Sequence, residues 1–199
     1  GTRGWFAEFF SNTLFKGQPY TTRTFSEPDI DFATELPDGL SPGNFSCRFE
    51  TNFTPEETGS WTFFLHGCPH AALDIDGVVS IIQIDPETPA MVSKNFELVK
   101  EQTYRLRLNV TPMKNAEPRQ VRLTLKSPEQ QQQASESQNR LIEKAQKADT
   151  VLFFGGLNHL YDLECCDRQD MQLHDGQNSL INALARANPK LAVILISGS

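Results

Sequence analysis

No apolar run in this chain of 199 residues approaches the roughly 18 that a membrane-spanning helix needs, so no helical span of a bilayer is expected. Positive charge is in short supply: 18 lysines and arginines stand against 25 aspartates and glutamates, for a net charge of −7. That deficit argues against nucleic acid or an anionic membrane as the principal partner. Cysteine is sparse, and four residues neither demand nor exclude disulfides. What remains is ordinary for a folded protein, with 38% hydrophobic and 22% charged residues and enough length for one or two domains with a proper core. Asn44-Phe-Ser46, Asn52-Phe-Thr54 and Asn109-Val-Thr111 are glycosylation triplets, meaningful only in a eukaryotic secretory protein.

The pattern changes character partway along. Residues 1–127 read as all-β, with short alternating or apolar runs at Trp5–Phe10, Phe45–Phe53, Ser60–Leu65, Ala71–Ile75, Val78–Ile84, Tyr104–Val110 and Val121–Leu125. Turn chemistry separates them, notably Pro55-Glu-Glu-Thr-Gly59, Asp76-Gly77 and Asp85-Pro86. Phe45, Phe49 and Phe53 share one face of a strand, and Trp61, Phe63 and Leu65 share another, because side chains alternate with a period of two. Many short strands at such spacing predict a sandwich or barrel. Residues 128–134, Pro-Glu-Gln-Gln-Gln-Gln-Ala, read as a polar linker. From Ser135 a helix is expected, with Leu141, Ile142, Ala145 and Ala148 at helical spacing. Val151–Phe154 and Leu191–Ile196 are near-continuous apolar runs, as in parallel strands buried on both faces. A helix capped by Asp175 and ended by Pro189 lies between them, so 135–199 reads as a partial α/β unit.

The first of these apolar strands runs into Gly155-Gly-Leu-Asn-His-Leu-Tyr-Asp-Leu-Glu-Cys-Cys-Asp-Arg-Gln-Asp-Met171. Asp162, Glu164, Asp167 and Asp170 crowd this stretch, with Arg168 among them. Open α/β sheets bind ligands in the crevice beyond the carboxyl ends of their strands, which makes this loop the candidate site. Carboxylates held close together can divide acid and base roles, because burial or a neighbouring charge keeps one of them protonated. Taken as residues alone, any of the acids could be a solvated or ion-paired carboxylate.

The run from Gly156 to Ser199 resembles the second catalytic domain of glycoside hydrolase family 3, the β-glucosidase family. Members read G-L-N-x-x-x-x-x-E-G-(F/Y)-D-R-x-x-(M/L)-x-L-P-x-x-Q-x-x-L-I, followed by N-P and an apolar strand ending S-G. The resemblance implies that Glu164 is the general acid/base, with Asp162 the runner-up and Asp167 and Arg168 bracing the loop. Cys165 and Cys166 replace the glycine and aromatic of the pattern, and His174 stands where proline is usual. Upstream, the opening Gly4-Trp-Phe-Ala-Glu-Phe-Phe10 and the run Ser46-Cys-Arg-Phe-Glu-Thr-Asn-Phe-Thr-Pro-Glu-Glu-Thr-Gly-Ser-Trp-Thr-Phe-Phe-Leu65 resemble the protective-antigen-type β-sandwich module, which is inserted in many such enzymes just before the acid/base loop.

Together these resemblances imply a multi-domain segment of a retaining β-glucosidase-like hydrolase. A retaining enzyme needs two carboxyl groups roughly 5–5.5 Å apart. The nucleophile aspartate of the family lies on an N-terminal barrel, and no position of this chain matches it, so the isolated segment is expected to be inactive. The implied partners are a β-linked glucoside or oligosaccharide and the remaining domains of the same enzyme, the barrel and the rest of the α/β sheet. No cofactor is expected, and the implied location is extracellular or periplasmic. The alternative is a non-catalytic carbohydrate-binding module whose α/β tail only docks.

Three other constellations are weaker. His66, Cys68 and His70, with Cys47, could offer zinc ligands, but Gly67 and Pro69 break the strand and the spacing fits no ligand pattern. Asp74 and Asp76 could contribute oxygens to calcium, but Asp76-Gly77 is a hairpin turn signal. The metal reading is therefore none. Cys165 and Cys166 lack the basic surroundings that would lower a thiol pKa. A hairpin centred near Glu57 would put Cys47 opposite Gly67, and Cys68 within one pairing step of a cross-strand disulfide.

Overall fold

The structure, a computed structural model, describes residues 4–67, 70–83, 91–112, 120–157, 173 and 176–196. The chain divides into two compact units, Gly1–Pro128 and Glu129–Ser199.

The first unit is built from strands β1 (Trp5–Phe10), β2 (Thr21–Phe25), β3 (Asp29–Asp31), β4 (Ser46–Phe53), β5 (Gly59–Gly67), β6 (His70–Ile75), β7 (Val78–Gln83), β8 (Met91–Leu98), β9 (Tyr104–Thr111) and β10 (Gln120–Lys126), with one short helix, α1 (Phe32–Glu35). Two sheets result, ordered β2-β1-β4-β9-β6-β7 and β3-β10-β5-β8. Every pairing within them is antiparallel. The two-residue alternation of the sequence sets the inner faces. Trp5, Ala7, Phe9, Phe49, Leu106 and Leu108 from the first sheet share one core with Phe63, Leu65, Val121 and Leu123 from the second. Each fully buried Phe or Leu of this set contributes roughly 1.5–3 kcal/mol relative to its exposed state.

Sequence and structure agree closely for the strands with strong alternation, β1 above all. The hairpin expected near Glu57 does not form. β4 and β5 lie in different sheets, Cys47 pairs with Phe9 and Val110, and Gly67 pairs with Val121. The reason is that the aromatic faces of both strands must be buried. They meet face to face across the core, with the Phe53 and Trp61 rings 5.1 Å apart at 77°, instead of lying side by side in one sheet. Cys47 is buried as a free thiol, and Cys68 lies outside the described residues. The Asp76-Gly77 turn is as expected: φ is 52° at Asp76 and 84° at Gly77, the paired left-handed conformation of a tight two-residue hairpin.

Residues 128–134, expected as a polar linker, are helical. They form the first turns of α2 (Pro128–Lys147), a helix of 20 residues. Proline suits a first helical position, and glutamate, glutamine and alanine are good helix formers, so propensity outweighs the low complexity of the tract. Gln133 donates to Glu129 and Gln132 to Glu136, both at 2.9 Å. Within the second unit, β11 (Val151–Gly156) and β12 (Leu191–Ile196) pair in parallel, from Val151 opposite Leu191 to Gly156 opposite Ile196. The crossover between them is α3 (Gln177–Ala187). The expected burial of these strands on both faces is not met: Leu152 is 59%, Phe154 67% and Ile196 71% exposed. Two strands and one crossover helix do not supply enough surface to cover both faces of a sheet.

Buried Asn188 ties the unit together. Its side-chain amide donates to the carbonyls of Ala145 and Ala148 at 2.8 and 2.7 Å, satisfying the open end of α2. Its side-chain Oδ1 accepts from the Lys190 N–H at 2.8 Å.

Candidate functional site

Asp162, Glu164, Cys165, Cys166, Asp167, Arg168, Asp170, His174 and Asp175 all lie outside the described residues. The frame that brackets them is described. β11 continues its ladder one step past its last residue, where the Leu157 N–H donates to the Ile196 carbonyl at 3.0 Å. Gly156 has φ +141°, and a Cβ there would run into the Ile196 carbonyl oxygen, so only glycine lets the two strands close at this point.

On the far side of the loop, α3 opens at Gly176, with φ 74° and no side chain to cap the helix. The first bond of the helix runs from the Leu180 N–H to the Gly176 carbonyl at 3.0 Å. The next residue, Gln177, reaches back across the frame. Its Oε1 accepts from the Gly156 N–H and its Nε2 donates to the Gly156 carbonyl, each at 2.8 Å. One side-chain amide thus saturates both backbone groups of the residue at which the chain leaves the strand. The residue-level reading singled out the acids of the loop and passed over Gln177. Its signal was the glutamine of the L-P-x-x-Q-x-x-L-I pattern, which falls on this position.

Among the described residues, the titratable groups with displaced pKa values lie in the first unit. Partial burial pushes the Glu50 carboxyl up, but hydrogen bonds and charge from Arg105 (2.8 Å) and Arg107 (2.6 Å) outweigh it and leave the group below its ordinary value. Hydrogen bonding to Glu50 correspondingly raises Arg105. Burial drives the Cys47 thiol well up, against a smaller opposing pull from Arg23, so it is not a reactive thiolate. The remaining sequence candidates are dispersed or occupied. His66 sits on β5 and His70 on β6, in different sheets. Asp74 accepts from the Gly77 N–H and Asp76 from the Arg105 N–H, both at 2.7 Å, so each carboxylate helps build its turn. Among the described residues, no group of three or more His, Cys, Asp or Glu is arranged to hold a metal ion, and no helix is long and apolar enough to cross a membrane.

Comparison with known proteins adds an independent line. The family model of the glycosyl hydrolase family 3 C-terminal domain matches residues 34–199. A beta-glucosidase of Rhizobium radiobacter is 27% identical over 201 aligned residues, which cover 96% of this chain and 24% of that protein. A beta-glucosidase of Bacteroides ovatus is 43% identical over 63 residues, 31% of this chain and 8% of that protein. Among solved structures, a beta-glucosidase from Kluyveromyces marxianus in complex with glucose matches with a TM-score of 0.60 at 20% identity, over 96% of this chain and 24% of that one. At that identity the likeness is one of fold: mostly antiparallel sheet with a few helices. The chain spans about a quarter of the length of these two longer matches.

Proposed function

The chain belongs to glycosyl hydrolase family 3 through that family's C-terminal domain, and from this premise we propose that it is the acid/base-bearing part of a retaining β-glucosidase-like hydrolase, with Glu164 as the general acid/base. The observation that carries the reading is the frame around the loop. A segment leaves the carboxyl end of a parallel strand and re-enters at a helix start, and Gln177 fastens the exit residue Gly156 through both of its backbone groups. That is where α/β folds set functional side chains on a rigid base.

In this reading Glu164 protonates the departing glycosidic oxygen, then takes a proton from the water that releases the glycosyl-enzyme. Asp167 and Arg168 brace the loop. The nucleophile aspartate comes from a barrel elsewhere in the complete protein, so this chain by itself holds at most one of the two carboxylates required. The exposed apolar side chains of β11 and β12 fit a role as two strands of a wider sheet whose other strands cover them. We assign the first unit to the protective-antigen-type module, which in the complete enzyme shapes the sugar-binding pocket. The substrate class is a β-linked glucoside or oligosaccharide, and the setting in this reading is extracellular or periplasmic.

The test is made on the complete protein. Glu164→Gln is expected to lower hydrolysis of cellobiose-like substrates by about 10²–10⁴-fold. The loss shrinks for dinitrophenyl glucosides, whose leaving group needs no proton, and azide restores part of their turnover by attacking the glycosyl-enzyme without a general base. Full activity in Glu164→Gln together with loss in Asp162→Asn would move the role to Asp162. If neither substitution mattered, the hydrolase reading of this loop would fall and the chain would be a binding module.

A further inference from the structure

An aspartate followed by glycine is a point where a peptide chain can rearrange, because glycine leaves its own amide nitrogen open to the preceding carboxyl. The chain has such pairs at Asp38-Gly39, Asp76-Gly77 and Asp175-Gly176, and Asp175 lies outside the described residues. The first two both sit in exposed turns, so exposure does not separate them. Their hydrogen bonds do. At Asp76-Gly77 the reacting groups are already engaged. The Asp76 carboxylate accepts from the Arg105 N–H, and the Gly77 N–H donates to the Asp74 carboxylate, both at 2.7 Å. The Asp76 N–H donates in turn to the Arg105 carbonyl at 2.9 Å. A carboxylate seated on the Gly77 N–H opposes loss of that proton, and the Asp76 carboxyl cannot swing towards the glycine without breaking its own bond.

At Asp38-Gly39 neither the carboxyl nor the glycine N–H has a hydrogen-bond partner among the described residues. The Leu40 N–H donates to the Pro37 carbonyl at 3.1 Å. Of the two central residues only Gly39 has positive φ, at 87°, which makes 37–40 a type II turn. That turn calls for glycine at its third position, so the fold itself sets glycine after Asp38. The peptide between them is held by one bond, from the Tyr20 hydroxyl to the Asp38 carbonyl at 3.1 Å. Tyr20 is 53% exposed and lies so close over Gly39 that a Cβ there would strike its hydroxyl.

We propose that Asp38 converts spontaneously to isoaspartate through a cyclic imide, and that the Tyr20 hydroxyl restrains the conversion. The Gly39 nitrogen gives up its proton and bonds to Asp38 Cγ, and one carboxyl oxygen departs as water. The five-membered imide then takes up water. Opening at the former side-chain carbonyl restores aspartate. Opening at the former main-chain carbonyl leaves the chain running through Cβ and frees the α-carboxylate. One water is lost and one gained, and nothing is oxidised or reduced. The second residue of a type II turn has ψ near about +120°, which turns the Gly39 nitrogen away from Cγ. Ring closure therefore needs the peptide plane to rotate, and the bond from Tyr20 resists that rotation. The freed α-carboxylate is the group that isoaspartyl carboxyl methyltransferases modify with S-adenosylmethionine. The chemistry is independent of the hydrolase reading above.

The test ages the full chain for several weeks at neutral pH and physiological temperature, then digests it with trypsin. Cleavage after arginine and lysine places the two sites in separate peptides, Thr24–Arg48 and Phe49–Lys94. Electron-transfer fragmentation distinguishes isoaspartate from aspartate in each. Isoaspartate is expected at position 38 at roughly tenfold the level at 76, a ratio set by the hydrogen bonds that must break at the second site. A sample aged in urea should lose that ratio, because the preference belongs to the fold. Tyr20→Phe keeps the ring over Gly39 and removes its bond, and is expected to raise conversion at 38 about fivefold while leaving 76 unchanged. Asp38→Glu should abolish the product, since closure would then need a six-membered ring. Equal conversion at the two sites in the folded chain overturns the proposal. So does an unmodified Asp38 in the folded chain after the sample in urea has converted. A Tyr20→Phe chain that converts at the native rate removes the restraint assigned to the hydroxyl.

Discussion

Glu50 accepts from two arginines on β9 while about a quarter exposed, 26%. Its pKa lies below the ordinary value of 4.5 in the folded state, so the folded form binds the proton less readily than the unfolded chain does. The resulting stability is present above the unfolded value and is lost as pH falls through the folded one. Solvent screening keeps it small, about 1 kcal/mol. Comparing calorimetric midpoints of the native chain and Glu50→Gln from pH 7 downward should show a gap at neutral pH that closes below about pH 4. A gap of constant size down to pH 3 would show that the arginine pairs contribute nothing through charge. The sequence held no sign of this cluster, because Glu50, Arg105 and Arg107 become neighbours only once β4 and β9 pair. The residues it did mark, such as Asp76-Gly77, were legible because their geometry is local.

At the scale of elements, legibility followed the strength of the burial pattern. β6, β9 and β10 alternate cleanly between core and more exposed positions, and β1, β4 and β5 do so over part of their length. β2, Thr21-Thr-Arg-Thr-Phe25, has no residue fully buried, and β8 buries only Leu98; edge strands like these carry little hydrophobic signal and went unread. β3 and α1 are short and held by local bonds, with the Asp31 side chain accepting from the Ala33 N–H and Glu35 reaching back to the Asp31 N–H. The sheet assignment of β4 and β5 was not legible, since a short turn between two amphipathic strands permits both a hairpin and an arch across the core. In the candidate site, the acids of the loop were visible in the sequence but the residue that fastens its base was not singled out. Gln177→Leu keeps the bulk of that side chain and removes both bonds to Gly156, so hydrogen exchange at the Gly156 amide should quicken by about tenfold, while Val151–Phe154 keep their protection. Unchanged exchange at Gly156 would mean that the clasp adds nothing to the ladder formed with β12.

Across the whole molecule the two units differ in how fully their apolar surface is used. The sandwich buries its large aromatic side chains on the inner faces of two sheets, whereas the strand Leu191-Ala-Val-Ile-Leu-Ile196 leaves Leu195 49% and Ile196 71% exposed. Among the described residues this strand pairs with β11 alone. It also contains six consecutive apolar residues with no charge and no proline, the composition of a segment that stacks on copies of itself into dry, interdigitated fibrils. Handled as a separate chain, the protein is therefore expected to convert with time into thioflavin-positive fibrils seeded by this strand. Val193→Lys, a gatekeeper charge at its centre, should lengthen the lag several-fold. A lag indifferent to that charge would locate the seed elsewhere, and the six apolar residues would then be harmless despite their exposure.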